Sequence, residues 1–151
     1  MNVVSNLYRC DICETIVEVL DEHSMDLTCC GRQMRPAVHL LGARGSHRHV
    51  PLVVRCGERL HVRVGALPHP MREDHRVEWV ELVTSDSATR RFLEPDQPPQ
   101  CDFVIEGEPL TVRCCCNCHG IWQTALSKPE PSTGQRVGTT LQLASGQQAS
   151  A

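Results

Sequence analysis

Aromatic residues are scarce in this chain. Two Trp, one Tyr and two Phe (Trp79, Trp122, Tyr8, Phe92 and Phe103) serve all 151 residues. Aliphatic side chains must therefore fill the core, and a small module needs a metal or disulfide staple. Long apolar runs are missing too: none approaches the roughly 20 residues that cross a bilayer, so no membrane association is expected. The opening MNVVSNLYRC lacks the basic stretch, apolar segment and small-residue cleavage site of a secretory leader, and the expected location is the cytoplasm. Net positive charge is absent, with a formal charge of −3, which argues against a general nucleic-acid binder. The length suits one ordinary domain with a small appendage, not two full-sized domains.

Against these absences stand ten cysteines and eight histidines. In a reducing compartment such clustering points to metal ligation ahead of disulfides. Composition divides the chain into three. Residues 1–36 carry four cysteines and little else suited to a core. Residues 37–126 alternate with period two in RLHVRV, VEWVELV, CDFVIE and LTVRC, punctuated by GALPHP, EPDQPPQ and EGEP. That is the cadence of a β-sandwich or barrel. Residues 127–151, rich in Ser, Gly, Gln and Pro, read as a disordered tail.

The first cluster, YRCDICETIVEVLDEHSMDLTCCG, has a CxxC pair (Cys10, Cys13) and, after a hairpin-length excursion, the adjacent pair Cys29 and Cys30. Four thiolates can complete a tetrahedral cage for zinc or iron. Neighbouring side chains on an extended strand point to opposite faces, so Cys29 and Cys30 can share a metal only if the backbone turns there. Gly31 eases such a turn.

The second cluster comprises His49, His69, His75, Cys116 and His119, in RHVP, LPHPM, EDHRVEW and NCHGIW. All lie near expected strand ends or in loops. Imidazole with thiolate suits iron, copper or zinc, and spacing does not choose among them.

Both stretches resemble the desulfoferrodoxin and superoxide reductase family. The segment YRCDICETIVEVL...LTCCGRQM is similar to its desulforedoxin-type (rubredoxin-like) module. HVPLVV, VRVGALPHPMREDHRVEWVEL and CNCHGIW match its reductase domain in order. The resemblance implies an all-β chain, with a small desulforedoxin/rubredoxin-like metal module over residues 1–36 and an immunoglobulin-like β-sandwich over 37–126. It implies two irons per chain, one on Cys10, Cys13, Cys29 and Cys30. The other would have His49, His69, His75 and His119 around it and Cys116 as axial thiolate. The implied activity is superoxide reduction to hydrogen peroxide, with electrons from a rubredoxin-like donor or a reductase, in a homodimer. A non-catalytic electron-transfer protein and a superoxide dismutase remain alternatives.

The chain departs from the family where Glu-Lys usually precedes the first ligand histidine; here His47 and Arg48 stand there. Arg48 keeps the positive charge that attracts an anion but does not give up a proton. A histidine such as His47 can relay one. In RCCCNCHGIW the family frame selects Cys116 as the ligand. Cys114 is then a small core filler on the face of Cys116, Cys115 points away, and Cys118 fills the variable position between ligands. Cys56 and Cys101 receive no role from this reading.

Overall fold

The computed structural model describes residues 6–20, 26–38 and 44–126, and the expected tail at 127–151 lies outside the described residues. Two sheets face each other. One has the order β10-β7-β6, from β6 (Pro51–Cys56), β7 (Arg59–Val64) and β10 (Gln100–Val104). The other has the order β12-β11-β8-β9, from β8 (Val77–Thr84), β9 (Ala88–Phe92), β11 (Pro109–Cys116) and β12 (Gly120–Ala125). All pairings within both sheets are antiparallel.

The alternation in RLHVRV is realised on β7: Leu60, Val62 and Val64 are buried, and Arg59 and Arg63 are exposed. Those three residues and Phe103 pack between the sheets against Val77, Val80, Leu82, Val112, Cys114 and Trp122. Burying each such aliphatic side chain stabilises the fold by about 1.5–3 kcal/mol. Strand β8 is buried along nearly its whole length, because its outer face is covered as well.

That cover comes from the N-terminal segment. Strands β1 (Asn6–Arg9), β2 (Ile16–Val19) and β5 (Arg35–Pro36) form a sheet of order β2-β1-β5, and β3 (Thr28–Cys29) pairs with β4 (Arg32–Gln33). Leu7 and Ala37 form a second core with Trp79, Cys115 and Ile121. Val38 makes a parallel bridge to Ile121. The first segment thus contributes more to a core than its composition suggests, because it borrows the outer face of the larger sheet.

A buried ionic network lies on the same outer face. Glu81, 2% exposed, accepts from Arg113 Nε at 2.9 Å and from Arg113 Nη2. It also accepts from Arg90 Nη2 at 2.7 Å. Arg90 reaches Glu18 of β2 at 3.3 Å and lies 4.6 Å from the Trp79 ring centroid. The Arg90–Glu18 pair ties β2 to the sandwich, and the contacts of Arg90 with Glu81 and Trp79 hold its guanidinium in place for it. None of the ten cysteines is in a disulfide, and among the described residues no helix is long and apolar enough to cross a membrane.

Candidate metal centres

The Cys10, Cys13, Cys29 and Cys30 sulfurs lie within 4.8 Å of one another. Cys13 Sγ is 3.6 Å from Cys29 Sγ, and Cys29 Sγ is 3.9 Å from Cys30 Sγ. Sulfurs about 2.3 Å from a tetrahedral metal are separated by about 3.8 Å, so the spacing fits one. The adjacent pair converges because Cys30 and Gly31, at φ 50° and 74°, form the tight left-handed turn between β3 and β4. On the other side the chain folds back on the CxxC loop: Glu14 N–H donates to the Cys10 carbonyl and Cys10 N–H to the Thr15 carbonyl, both at 3.0 Å. Ile12 N–H donates to Cys10 Sγ at 3.4 Å. Hydrogen bonding to the Thr15 side chain and backbone lowers the Cys13 thiol to about 6. Cys29 is pushed up to about 12, first by its hydrogen bond with Cys13.

The second cluster draws on four separate segments. His49 ends the short helix α1 (Ser46–His49), two residues ahead of β6 at Pro51, and so sits just before the strand and not on it. His69 and His75 lie in the connection between β7 and β8, while Cys116 and His119 bracket the turn from β11 to β12. Their ligand atoms also lie within 4.8 Å of one another. The imidazoles close a ring: centroids are 4.8 Å apart for His49–His69, 5.0 Å for His69–His75, 4.9 Å for His75–His119 and 4.8 Å for His119–His49. His49 Nε2 is 3.2 Å from His119 Nδ1, and Cys116 Sγ is 3.4 Å from that same nitrogen. Nitrogens about 2.1 Å from a metal and at right angles lie about 3.0 Å apart.

The ring nitrogens are oriented from behind. His49 Nδ1 bonds to the Gly45 carbonyl at 2.8 Å and His69 Nδ1 to the Pro70 carbonyl at 2.6 Å. Both contacts place the proton on Nδ1 and turn Nε2 inward as an acceptor. His69 Nε2 and His75 Nε2 are buried without a hydrogen-bond partner. Buried polar atoms are costly when unsatisfied, and a metal bound by them removes that cost. Both residue sets therefore fit iron.

Family models carry these two sets separately. "Desulfoferrodoxin, N-terminal domain" matches residues 3–36 and "Desulfoferrodoxin" matches residues 42–125. A desulfoferrodoxin homolog of Archaeoglobus fulgidus is 35% identical over 124 residues, covering 82% of this chain and 99% of that protein. The desulfoferrodoxin of Nitratidesulfovibrio vulgaris is 36% identical over 117 residues, covering 78% of this chain and 93% of its own. The chain belongs to the desulfoferrodoxin family. Its fold is that of the superoxide reductase from Treponema pallidum, which superposes with a TM-score of 0.62 at 24% identity over 82% of this chain and 99% of the other.

As a desulfoferrodoxin-family chain it has its own surroundings for the second centre. Arg48 is exposed but pinned, donating through Nη1 to the Pro68 carbonyl at 2.9 Å, next to His69. His47 is exposed, and its carbonyl accepts from Ala66 and Leu67 N–H at 2.9 and 3.1 Å, which docks α1 onto the end of β7. Cys118 is exposed and donates to the Asp74 carbonyl at 3.3 Å, outside the five-residue cluster. Asn117 reinforces that strap: its Oδ1 accepts from Arg76 N–H at 2.9 Å and its Nδ2 donates to the Asp74 carbonyl at 3.2 Å, fixing the backbone on both sides of His75. Cys114 and Cys115 are both buried, in the inner and outer cores respectively. Cys56 is exposed, and Cys101 packs against the inner core.

Two supporting residues escape sequence reasoning. Trp122 stacks on His49 at 4.9 Å and 16°, and its Nε1 donates to the His119 carbonyl at 3.2 Å; only its place in the NCHGIW motif hinted at this. Gly65, at φ 80°, is the other: a Cβ there would lie 2.4 Å from the Arg48 carbonyl oxygen. Gly65→Ala is expected to push α1 off the end of β7 and weaken iron retention at the histidine ring about tenfold or more, as loss of a supporting contact does. Iron release to a chelator measures it, with the four-cysteine centre as the unaffected reference.

Burial lowers the His49 imidazole from its ordinary 6.5 to about 4, and it lowers His69 and His75 as well. These groups enter the folded protein neutral, as metal ligands must. An unfolded chain takes up their protons first as the pH falls. The metal-free protein is therefore expected to hold its full stability above about pH 6.5 and lose it progressively toward pH 4. Urea unfolding across that range tests the slope, and a flat profile would contradict neutral burial.

Proposed function

We propose that this protein is a superoxide reductase, which adds one electron and two protons to superoxide to give hydrogen peroxide. The closed ring of four imidazoles with the Cys116 sulfur beside it carries the reading. Structural zinc sites usually close at four donors, whereas five donors would suit a metal that also takes a small ligand. His49, His69, His75, His119 and Cys116 would hold iron there, which would supply the electron.

The chain's own groups do the rest. Neutral imidazoles would leave a bound metal its positive charge, and the Cys116 thiolate would make it electron-rich, as thiolate ligation does in haem enzymes. Arg48, pinned to the Pro68 carbonyl, holds a fixed cation beside His69 and draws superoxide in. Because a guanidinium keeps its protons, His47 takes the role of proton relay. Residues 37–126 act as the reductase domain and residues 1–36 as the four-cysteine iron module, in a cytoplasmic homodimer. A rubredoxin-like carrier or a reductase supplies electrons. Exposure of Cys13, Cys30 and Ile12 supports that supply, since it leaves the four-cysteine centre within a carrier's reach.

Peroxide yield tests the reaction. With an electron donor in excess, one peroxide per superoxide consumed is expected, and one per two would mean dismutation. Metal analysis should find two irons per chain, and zinc in both clusters would overturn the redox reading.

A further inference from the structure

The cysteine-rich stretch ahead of Cys116 contains a thiol that the reaction does not use. Cys114 is fully buried in the inner core, yet its sulfur lies 3.0 Å from the His49 carbonyl oxygen. A carbonyl only accepts, so the thiol donates, and 3.0 Å is short for sulfur. That carbonyl belongs to the last residue of α1, where helix carbonyls lack a partner within the helix. Cys114 is also paired across the β11–β12 ladder with Trp122, whose indole stacks on the His49 ring. Two ladder partners thus grip one residue: Trp122 by the imidazole face, Cys114 by the backbone.

We propose that Cys114 is a positioning residue for His49, its S–H bond locking the helix end that carries this imidazole to the strand that carries Cys116. Cys114 lies 65 residues beyond His49 in sequence, and the thiol closes that gap within one contact of both segments. An alanine would fill the position nearly as well by size, so a filler role and a donor role predict different outcomes. The inference rests on the reading that the cluster holds iron, and its test separates the two.

The iron-loaded full chain is compared with Cys114→Ala, which removes the donor, and Cys114→Ser, which keeps one in the same place. Iron release from the histidine ring to a chelator should be about tenfold faster in the alanine variant, with a shifted thiolate-to-iron band. The serine variant should restore both. The strand signal in far-UV circular dichroism, unchanged in both variants, reports that each has folded. In the metal-free chain the Gly65 amide, bonded to the Val50 carbonyl at 3.1 Å one peptide beyond His49, should exchange faster in the alanine variant and be restored by serine. An alanine variant identical to the parent would overturn the proposal, as would alanine and serine variants altered equally, which would make sulfur volume the cause. A parent chain that binds no iron in the ring would refute the iron reading, while the exchange contrast still decides the clamp.

Discussion

Replacing Cys116 by serine is expected to abolish the thiolate-to-iron band and slow superoxide reduction by more than about 100-fold, beyond the cost of losing a supporting hydrogen bond. Cys116 is buried and is the last residue of β11. Its sulfur lies 3.4 Å from His119 Nδ1. Hydrogen bonding from the Cys118 and His119 backbone offsets part of the burial that raises its thiol. A serine hydroxyl in that place brings neither the negative charge nor the soft donor that favours this electron-rich iron. Spectra of the oxidised variant, with the four-cysteine band as internal reference, check it. An unchanged band would move the ligand to another cysteine, and the geometry disfavours Cys118, whose thiol is turned to the Asp74 carbonyl.

Glu81→Ala is expected to cost about 3–5 kcal/mol of stability, because it leaves a buried guanidinium without its carboxylate. Arg113 is 4% exposed and donates to Glu81 through both Nε and Nη2. The Arg90 bond from the neighbouring strand goes with it, and through Arg90 the anchorage of Glu18. Denaturant unfolding measures the loss. A change under about 1 kcal/mol would place the network in the class of solvated surface pairs.

Period-two alternation made the sandwich legible, as in β7 with its buried Leu60, Val62 and Val64. The two clusters were legible because cysteine and histidine concentrate there. The adjacent Cys29 and Cys30 even announced their own turn, since no extended strand could serve both. The arrangement of β8 was harder to read. Glu81 looks like the polar half of an alternating strand, yet it is buried, because what covers it is a module far away in sequence. Likewise, no local pattern marks Gly65 or the Cys114 bond to the His49 carbonyl. Each depends on where α1 lands, which packing of distant segments decides. His49 sits at a helix end for the same reason: four residues ahead of a strand carry no periodic signal of their own.

The span of chain that each cluster encloses orders their assembly. The four-cysteine set closes locally, its Cys10 and Cys29 only 19 residues apart in sequence and Cys30 next in line, using a loop and a two-residue hairpin. The histidine ring joins partners 70 residues apart and needs α1, the β7–β8 connection and the last turn all in place. Local contacts form early and distant ones late, so a chain gaining its structure can capture metal at the cysteines while the ring is still open. Occupancy of the ring then records completion: metal caught there marks a sandwich whose final strand has already docked.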